Sequence, residues 1–480
     1  MSRLPAADME VRRVAGAADP LGLLGALARR NLPVILQSSL ESGRYSIVAS
    51  DPFLVLRAQR GRGSLRGLQR EEVFDGDPFP VLRAVLDAHR VERVPGLPFA
   101  GGAIGYLGYP LRRFAGARGA EALAPSAWPD LHLAFYDHAV VVDHAAGCTT
   151  LVSSGMGAGG EARRREKRRL DLARLRHLLD ETPDRKPRDS QPAPGVARFL
   201  TPKAEYLRRI ERAREYLAAG DIYQVNLSHR IEVAGAWDPP ELYRRLVEAH
   251  PCAFGAYLPL PEGTVLCASP ERFVRLTGRH AETSPIKGTR ARACDGSGDA
   301  AGADALRAGP KERAENVMIV DLARNDLGRV CEAGSVRVDE LCAVETLPSV
   351  HHLVSRVSGR LREEADGVDL VRALFPGGSM TGAPKLRAME IIDELEGIER
   401  GVYSGSLGYF SLDGDLDLNI VIRTLLVSAG RAELQVGGAV LAESDPEAEY
   451  QETLDKARPL LELLAGTASV TGEGAPRERA

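Results

Sequence analysis

The sequence predicts a mixed α+β chain, rich in sheet in its first part, and three observations carry that reading. Across residues 30 to 150, short apolar runs alternate with Gly and Pro. Ala100-Gly101-Gly102-Ala103-Ile104-Gly105-Tyr106-Leu107-Gly108-Tyr109 and the run Ala139 to Val142 ahead of Asp143 are examples. This is the pattern of short strands joined by hairpins. Between Lys203 and Ala219, Tyr206, Leu207, Ile210, Ala213 and Leu217 fall on one helical stripe, and Gly220 supplies the stop. Asp413-Gly414 divides Leu407–Leu412 from Leu416–Val427, and an Asp-Gly pair tolerates the positive φ of a tight turn.

In order along the chain, the pattern predicts two segments and a tail. Residues 1–190 form the first, ending in a charged helix and a linker. From 161 to 182, Arg163, Arg164, Arg165, Lys167, Arg168 and Arg169 interleave with Glu161, Glu166 and Asp171 while Leu170, Leu172, Leu175, Leu178 and Leu179 recur at near-helical spacing, which reads as a solvated helix with a basic face. Thr182 to Pro194 has linker composition. Residues 195–465 form the second segment. Its last helix runs from Pro446 to Leu464, with Ser444 read as the cap and Glu447 as its reciprocal partner. Residues 466–480, rich in Gly, Thr, Arg and Glu, read as a disordered tail.

A formal net charge of −4 over 480 residues offers no general basic face, so nucleic acid is not an expected partner. Cys148, Cys252, Cys267, Cys294, Cys331 and Cys342 are scattered without a Cys-x-x-Cys, which suggests neither a zinc site nor a disulfide framework and fits a reducing compartment. The N-terminus lacks the apolar core of a signal peptide, and no run of 18 apolar residues occurs, so no membrane association is expected and the location predicted is cytoplasmic.

The chemistry begins at Lys287, in Thr283-Ser284-Pro285-Ile286-Lys287-Gly288-Thr289. An ordinary lysine is neutral about one time in 2,500 at pH 7. Burial or a neighbouring cation must lower its pKa before the amine attacks carbon; otherwise it is a surface lysine at a strand end. Glu312 and Glu315 lie three apart on one helix, and Glu449 and Glu452 repeat the spacing on another, followed by Lys456. Acids in a first helical turn can simply complement the dipole. Two such pairs also suit a divalent cation, and all-oxygen ligation points to Mg²⁺.

Phe375 to Lys385 is a glycine-rich turn running into a helix near Pro384; Ala383-Pro384 interrupts it, so it is not a Walker loop, but its N–H groups can cradle an anion. Arg423 interrupts the apolar run Leu418 to Val427. Strand alternation would place it in solvent, whereas an inward orientation demands an anionic partner. Gly437-Gly438 permits close backbone approach to a ligand. His351 and His352 flank a strand start and are either structural or functional.

Taken together, these segments resemble the chorismate-utilising enzymes, the anthranilate synthase component I-like family. The markers are Asp221 to Ser228, Ser269-Pro270-Glu271-Arg272-Phe273, the Lys287 segment, Asp321 to Asp326, His352 to Ser355, residues 377–385, Gly401 to Gly405 and Ser444 to Tyr450. The resemblance covers roughly residues 30–465 and implies an α+β fold with large antiparallel β-sheets packed as a sandwich and helices outside. Isochorismate and salicylate synthases carry lysine where this chain has Gln224, so the resemblance implies an aminating member. Anthranilate synthases typically have Ala at the position of Lys287 and aminodeoxychorismate synthases have Lys, which favours amination at C4 of chorismate in p-aminobenzoate and folate biosynthesis. The alternatives are anthranilate formation and an inactive regulatory homologue.

The resemblance also implies roles. Lys287 attacks C2, Glu271 is the general acid for the departing C4 hydroxyl, and His352 lies near C4. Gln224, Ser379, Tyr403, Arg423, Gly437 and Gly438 contact substrate. Mg²⁺ is held by Glu315 and Glu452 with Glu312 and Glu449 supporting. Ser38, Tyr45 and Ser46 resemble part of a tryptophan pocket, although His250-Pro251-Cys252-Ala253-Phe254 departs from its usual companion. No cysteine sits in a Gly-x-Cys-x-Gly segment, so ammonia is expected from a separate glutamine amidotransferase subunit or from solution.

Overall fold

A computed structural model describes residues 9–40, 43–68, 70–116, 123, 126–181, 196–293, 296–347 and 350–465. The linker expected at 182–194, Cys294 and the tail at 466–480 lie outside the described residues. Two antiparallel sheets of 12 strands each stack face to face. The core between them draws Ile47, Val141 and Val265 from one sheet and Ile104, Ala134 and Leu407 from the other. Both outer faces are also apolar and are covered by helices. One face carries Glu161–Asp180, Pro239–Ala249 and Pro446–Ala465. The other carries Pro78–Ala88, Pro310–Gly328 and Gly367–Leu374. Strands covered on both faces lose the alternating polar positions of a half-exposed sheet, which explains the unbroken apolar runs of the sequence.

The α+β sandwich with outer helices is therefore present. Strands from both sides of residues 182–195 interleave in both sheets. Gly102–Leu107, for example, pairs with Ser406–Ser411, and Val34–Gln37 pairs with Phe254–Leu260.

The charged helix lays Leu172, Leu175 and Leu178 on the sheet and keeps most of its arginines in solvent. Tyr206, Ile210, Ala213 and Leu217 of Lys203–Ala218 are buried as the stripe predicts. Asp413-Gly414 makes the turn of a hairpin between Ser406–Ser411 and Leu416–Ile420, with Gly414 at φ +98°.

Two expectations need correction. The run Leu416 to Val427 is not one strand. It leaves one sheet after Ile420 and enters the other at Thr424, pairing first with Arg272–Thr277 and then with Gly263–Ser269. The last helix is capped by Asp445, whose carboxylate accepts from the Ala448 N–H at 2.9 Å. Ser444 instead donates to Glu449 at 2.7 Å. Among the described residues no helix is long and apolar enough to cross a membrane.

Candidate active site

Lys287 owes its position to a β-bulge. Strand Ile286–Ala291 sets Ile286 opposite Val354 and Thr289 opposite His352, so three steps on one strand match two on its partner. The extra residue re-aims the local side chain. Gly288 takes the positive φ, +80°, and a Cβ there would lie 2.9 Å from Leu306 Cδ1. The half-buried Lys287 amine donates to the Ser379 carbonyl at 3.5 Å. Burial lowers its pKa, while Glu315 and Glu271 pull it back up.

Glu271 is 4% exposed, on the turn before Arg272–Thr277. That turn is pinned from the next strand: the Ile420 N–H donates to the Glu271 carbonyl at 3.0 Å, and Ser269 Oγ donates to the Ile420 carbonyl at 2.6 Å. The Ile286 N–H donates to Glu271 Oε1 at 3.4 Å, so acid and amine are tied to adjacent residues of one strand. Burial raises the Glu271 pKa, against the Ser379 hydroxyl and the Lys287 charge. An amine shifted toward neutrality beside a carboxyl shifted toward protonation is the arrangement a nucleophile and a general acid require.

Helices Pro310–Gly328 and Pro446–Ala465 bring Glu315, Glu449 and Glu452 into mutual electrostatic range. Burial raises the Glu315 pKa, and no side chain among the described residues forms a hydrogen bond or ion pair with it. Glu449 accepts from Ser444 and faces Lys311 at 3.5 Å; Glu452 pairs with Lys456 at 2.7 Å. Glu312 is not brought to this group. Its stem packs beneath Gly288 and its carboxylate turns back toward Gly309.

The described acids that lie closest together with a histidine are elsewhere: Asp137, His138 and Asp171 offer ligand atoms within 4.8 Å of one another. Lys167 Nζ already lies 3.0 and 2.8 Å from the two aspartates, so this is a buried ion network.

Of the other expected contacts, Ser379 meets Lys287, and Arg423 lies within electrostatic range of Glu271 and His352. Gln224 opens strand Gln224–Ala234 opposite Ala383, fully buried, with both amide atoms unpartnered. Ser379 is buried, with its hydroxyl directed to the Glu271 carboxyl. His352 bonds Thr289 through Nδ1 at 2.8 Å and leaves Nε2 unpartnered; burial, with Arg423 nearby, pushes its pKa down to about 4, so the ring is neutral. His351, on the opposite strand face, pairs with Asp299 at 2.9 Å and is structural.

Arg423 lies in the crossover between sheets at φ +48°, which defeats the strand alternation and turns it inward. It has no ion pair among the described residues, and burial lowers its pKa against the pull of Cys252 and Glu271. Tyr403 is 7% exposed. Gly437 and Gly438 pair with Ser228 and Leu227, and a Cβ on Gly438 would lie 3.4 Å from Glu449 Oε2. Lys456 Nζ donates to the Gly437 carbonyl at 3.0 Å, linking that backbone to the acidic group.

The turn at 377–383 is held differently from an anion loop. Met380 and Thr381 N–H groups close onto Gly377 and Gly378 carbonyls. Lys385 is buried against Asp326 at 2.5 Å and the Leu374 carbonyl at 2.8 Å, away from the Lys287 amine. The suggested tryptophan-pocket residues are not all brought to one face. Tyr45 and Ser46 are neighbours on strand Tyr45–Ala49; Tyr45 donates to the Gly96 carbonyl at 3.3 Å, and Ser46 pairs with His144 at 2.8 Å. Ser38 Oγ is buried and unpartnered, beside the Ser39–Cys252 contacts.

Sequence reasoning passed over Arg400, Glu396 and Lys311. Glu396 and Arg400 are spaced i, i+4, the one available signal, and that spacing is common on solvated helices.

A two-sheet sandwich that brings a lysine, a buried carboxyl and the acidic turns of two outer helices together defines a class, and the comparisons agree. Residues 33–462 match the family model described as chorismate binding enzyme, and the chain belongs to that family. Aminodeoxychorismate synthase component 1 of Salmonella typhimurium is 40% identical over 431 residues, covering 88% of this chain and 90% of that protein. Anthranilate synthase component 1 of Streptomyces coelicolor is 42% identical over 402 residues, covering 81% and 78%. The crystal structure of anthranilate synthase component I from Streptococcus pneumoniae superposes with a TM-score of 0.76 at 32% identity, covering 88% of this chain and 92% of that one.

Proposed function

We propose that this chain is the chorismate-aminating component of an aminodeoxychorismate synthase, converting chorismate and ammonia to 4-amino-4-deoxychorismate in p-aminobenzoate and folate biosynthesis. The observation that carries the reading is Lys287 on its bulge, with its amine desolvated beside Glu271. Similarity over most of the chain to relatives named aminodeoxychorismate synthase component 1 supports it. The same names support a separate glutamine amidotransferase as the source of ammonia, and a cytoplasmic location accords with the reaction.

In the reaction the neutral Lys287 amine bonds to C2, both conjugated ring double bonds shift, and the C4 hydroxyl leaves as water with the Glu271 proton. Ammonia then bonds at C4, both double bonds return, and the C2–N bond to Lys287 breaks. The proton released from the incoming nitrogen returns to Glu271. The enolpyruvyl ether stays intact throughout. Arg423, inward and without an ion pair among the described residues, suits a substrate carboxylate together with Tyr403. Neutral His352 leaves Nε2 for a hydrogen bond near C4. Gln224 carries no charge and has no basic group with which to activate water, which disfavours hydroxylation.

The carboxylates fit a hard divalent cation: Glu315 is half-buried without a hydrogen-bond or ion-pair partner among the described residues, and Glu449 and Glu452 face it with only lysines there as counter-charges. Glu315, Glu449 and Glu452 would hold Mg²⁺, which supplies positive charge for the ring carboxylate of chorismate. Glu312 stands outside this set.

The second reading is anthranilate formation, favoured by the Streptomyces coelicolor relative and disfavoured by Lys287. Purified protein given chorismate, Mg²⁺ and ammonium is expected to form the amino product without pyruvate. Stoichiometric pyruvate with fluorescent anthranilate would replace this reading with the second one. No consumption of chorismate at all would favour an inactive homologue.

A further inference from the structure

The guanidinium of Arg400 is 2% exposed, and every one of its five N–H donors is used. Nε and Nη2 fork onto Glu396 at 2.9 and 2.6 Å. Nη1 donates to the Met380 carbonyl at 2.7 Å and to Ser404 Oγ at 3.1 Å. Nη2 also donates to the Asn226 carbonyl at 2.7 Å. The group stacks near the Tyr109 and Tyr403 rings, with centroids 4.9 and 5.9 Å away.

Each partner adjoins a residue of the site. Met380 follows Ser379, whose carbonyl receives the Lys287 amine. Ser404 follows Tyr403 and takes the left-handed φ of +62°. Asn226 lies two residues beyond Gln224, on the same strand face. Glu396 reaches further, accepting from the Ser228 N–H at 2.7 Å and hydroxyl at 2.8 Å, and Ser228 pairs with Gly437. A buried guanidinium is costly unless its donors are met, and here they are met by groups from four separate stretches of chain. A lysine offers three donors from a single point and cannot reproduce the planar fork.

We propose that Arg400 is the positioning residue that holds the Ser379 turn, the Tyr403 turn, the start of the Gln224 strand and, through Glu396, the Gly437 backbone in mutual register for substrate. This rests on the proposed amination reaction, because these four stretches matter only as walls of that site. Misplacement of reacting groups by about 1 Å can cost on the order of 100-fold in rate.

The test compares Arg400→Lys with the parent by melting temperature, kcat, KM for chorismate and pH profile. The expected result is a folded variant with kcat lowered at least about tenfold, KM raised, and a displaced acid limb because Ser379 shifts under Lys287. A merely structural role would lower the melting temperature and leave kcat, KM and the pH profile of the folded fraction unchanged; that result overturns the proposal. Ser404→Ala removes one acceptor without introducing bulk and serves if Arg400→Lys does not fold. It is expected to raise KM for chorismate severalfold, and unchanged kinetics there overturn the proposal equally. A parent protein that does not aminate chorismate would instead sink the functional reading, so the two failures are separable.

Discussion

The Lys287 amine and the Ser379 carbonyl oxygen lie 3.5 Å apart, so the bulge on one sheet addresses the glycine-rich turn directly. The turn rests on the helix that carries Glu315: a Cβ on Gly378 would lie 3.3 Å from Leu322. Lys287, the turn and the Glu315 helix therefore form one packed unit, and its electrostatics can be tested piece by piece.

Lys287 is held in the fold at a pKa below its ordinary value, chiefly by burial. The folded state thus binds fewer protons than the unfolded state, and wild-type stability rises as pH climbs from the lowered pKa toward 10.5. Lys287→Met removes the titration. It is expected to melt higher than the parent near neutral pH, by on the order of 1 kcal/mol, with the gap narrowing as pH rises. Thermal melts across pH check this, and a pH-independent gap would contradict it.

Glu271 has a pKa raised by burial, so its acid form persists above the ordinary carboxylate range and is lost as pH rises through the raised value. Glu271→Gln keeps an acceptor for the Ile286 N–H but has no acidic proton. The expected loss in kcat is about 10²–10⁴-fold with KM little changed, and the limb that depends on this proton disappears from the kcat profile. Stopped assays from acid to alkaline pH read both effects.

Much of this site was legible in the chain. Lys287, Glu271, Glu315 and Glu452 come within electrostatic range of one another, and the Asp413-Gly414 hairpin forms where its turn chemistry demands. Arg423 was only half legible. Its inward orientation depends on a change of sheet at residues 421–423, and periodicity carries no record of which sheet a strand joins. Glu312 shares its helical face with Glu315, yet the bulge at Gly288 draws its stem aside; that contact is made by residues 24 positions apart. Arg400 escaped because two of its four partners are carbonyl oxygens from distant stretches of chain, which no side-chain pattern reveals.

Arg423 is inward, without an ion pair among the described residues, and close enough to lower the His352 pKa. Arg423→Ala is expected to raise KM for chorismate about 10–100-fold, the cost of one charge-assisted hydrogen-bonded contact. The same change is expected to raise the His352 pKa from about 4, because a neighbouring positive charge is gone. Imidazole NMR titration measures the second effect, and no movement would contradict the placement.

Glu315 and Glu312 lie three residues apart and are expected to behave differently. Glu315→Gln should weaken Mg²⁺ binding by calorimetry at least about tenfold, whereas Glu312→Gln should leave it near the parent value. Equal losses for both variants would return Glu312 to the cation site.

The most direct measurement is the intact mass of the protein given chorismate and Mg²⁺ without ammonia, followed by peptide mapping. The account predicts a gain equal to chorismate less one water, located on Lys287, which disappears on adding ammonium and is absent from Lys287→Ala. An unmodified protein that nevertheless releases the amino product on adding ammonium, or a Lys287→Ala variant with parental turnover, would contradict it.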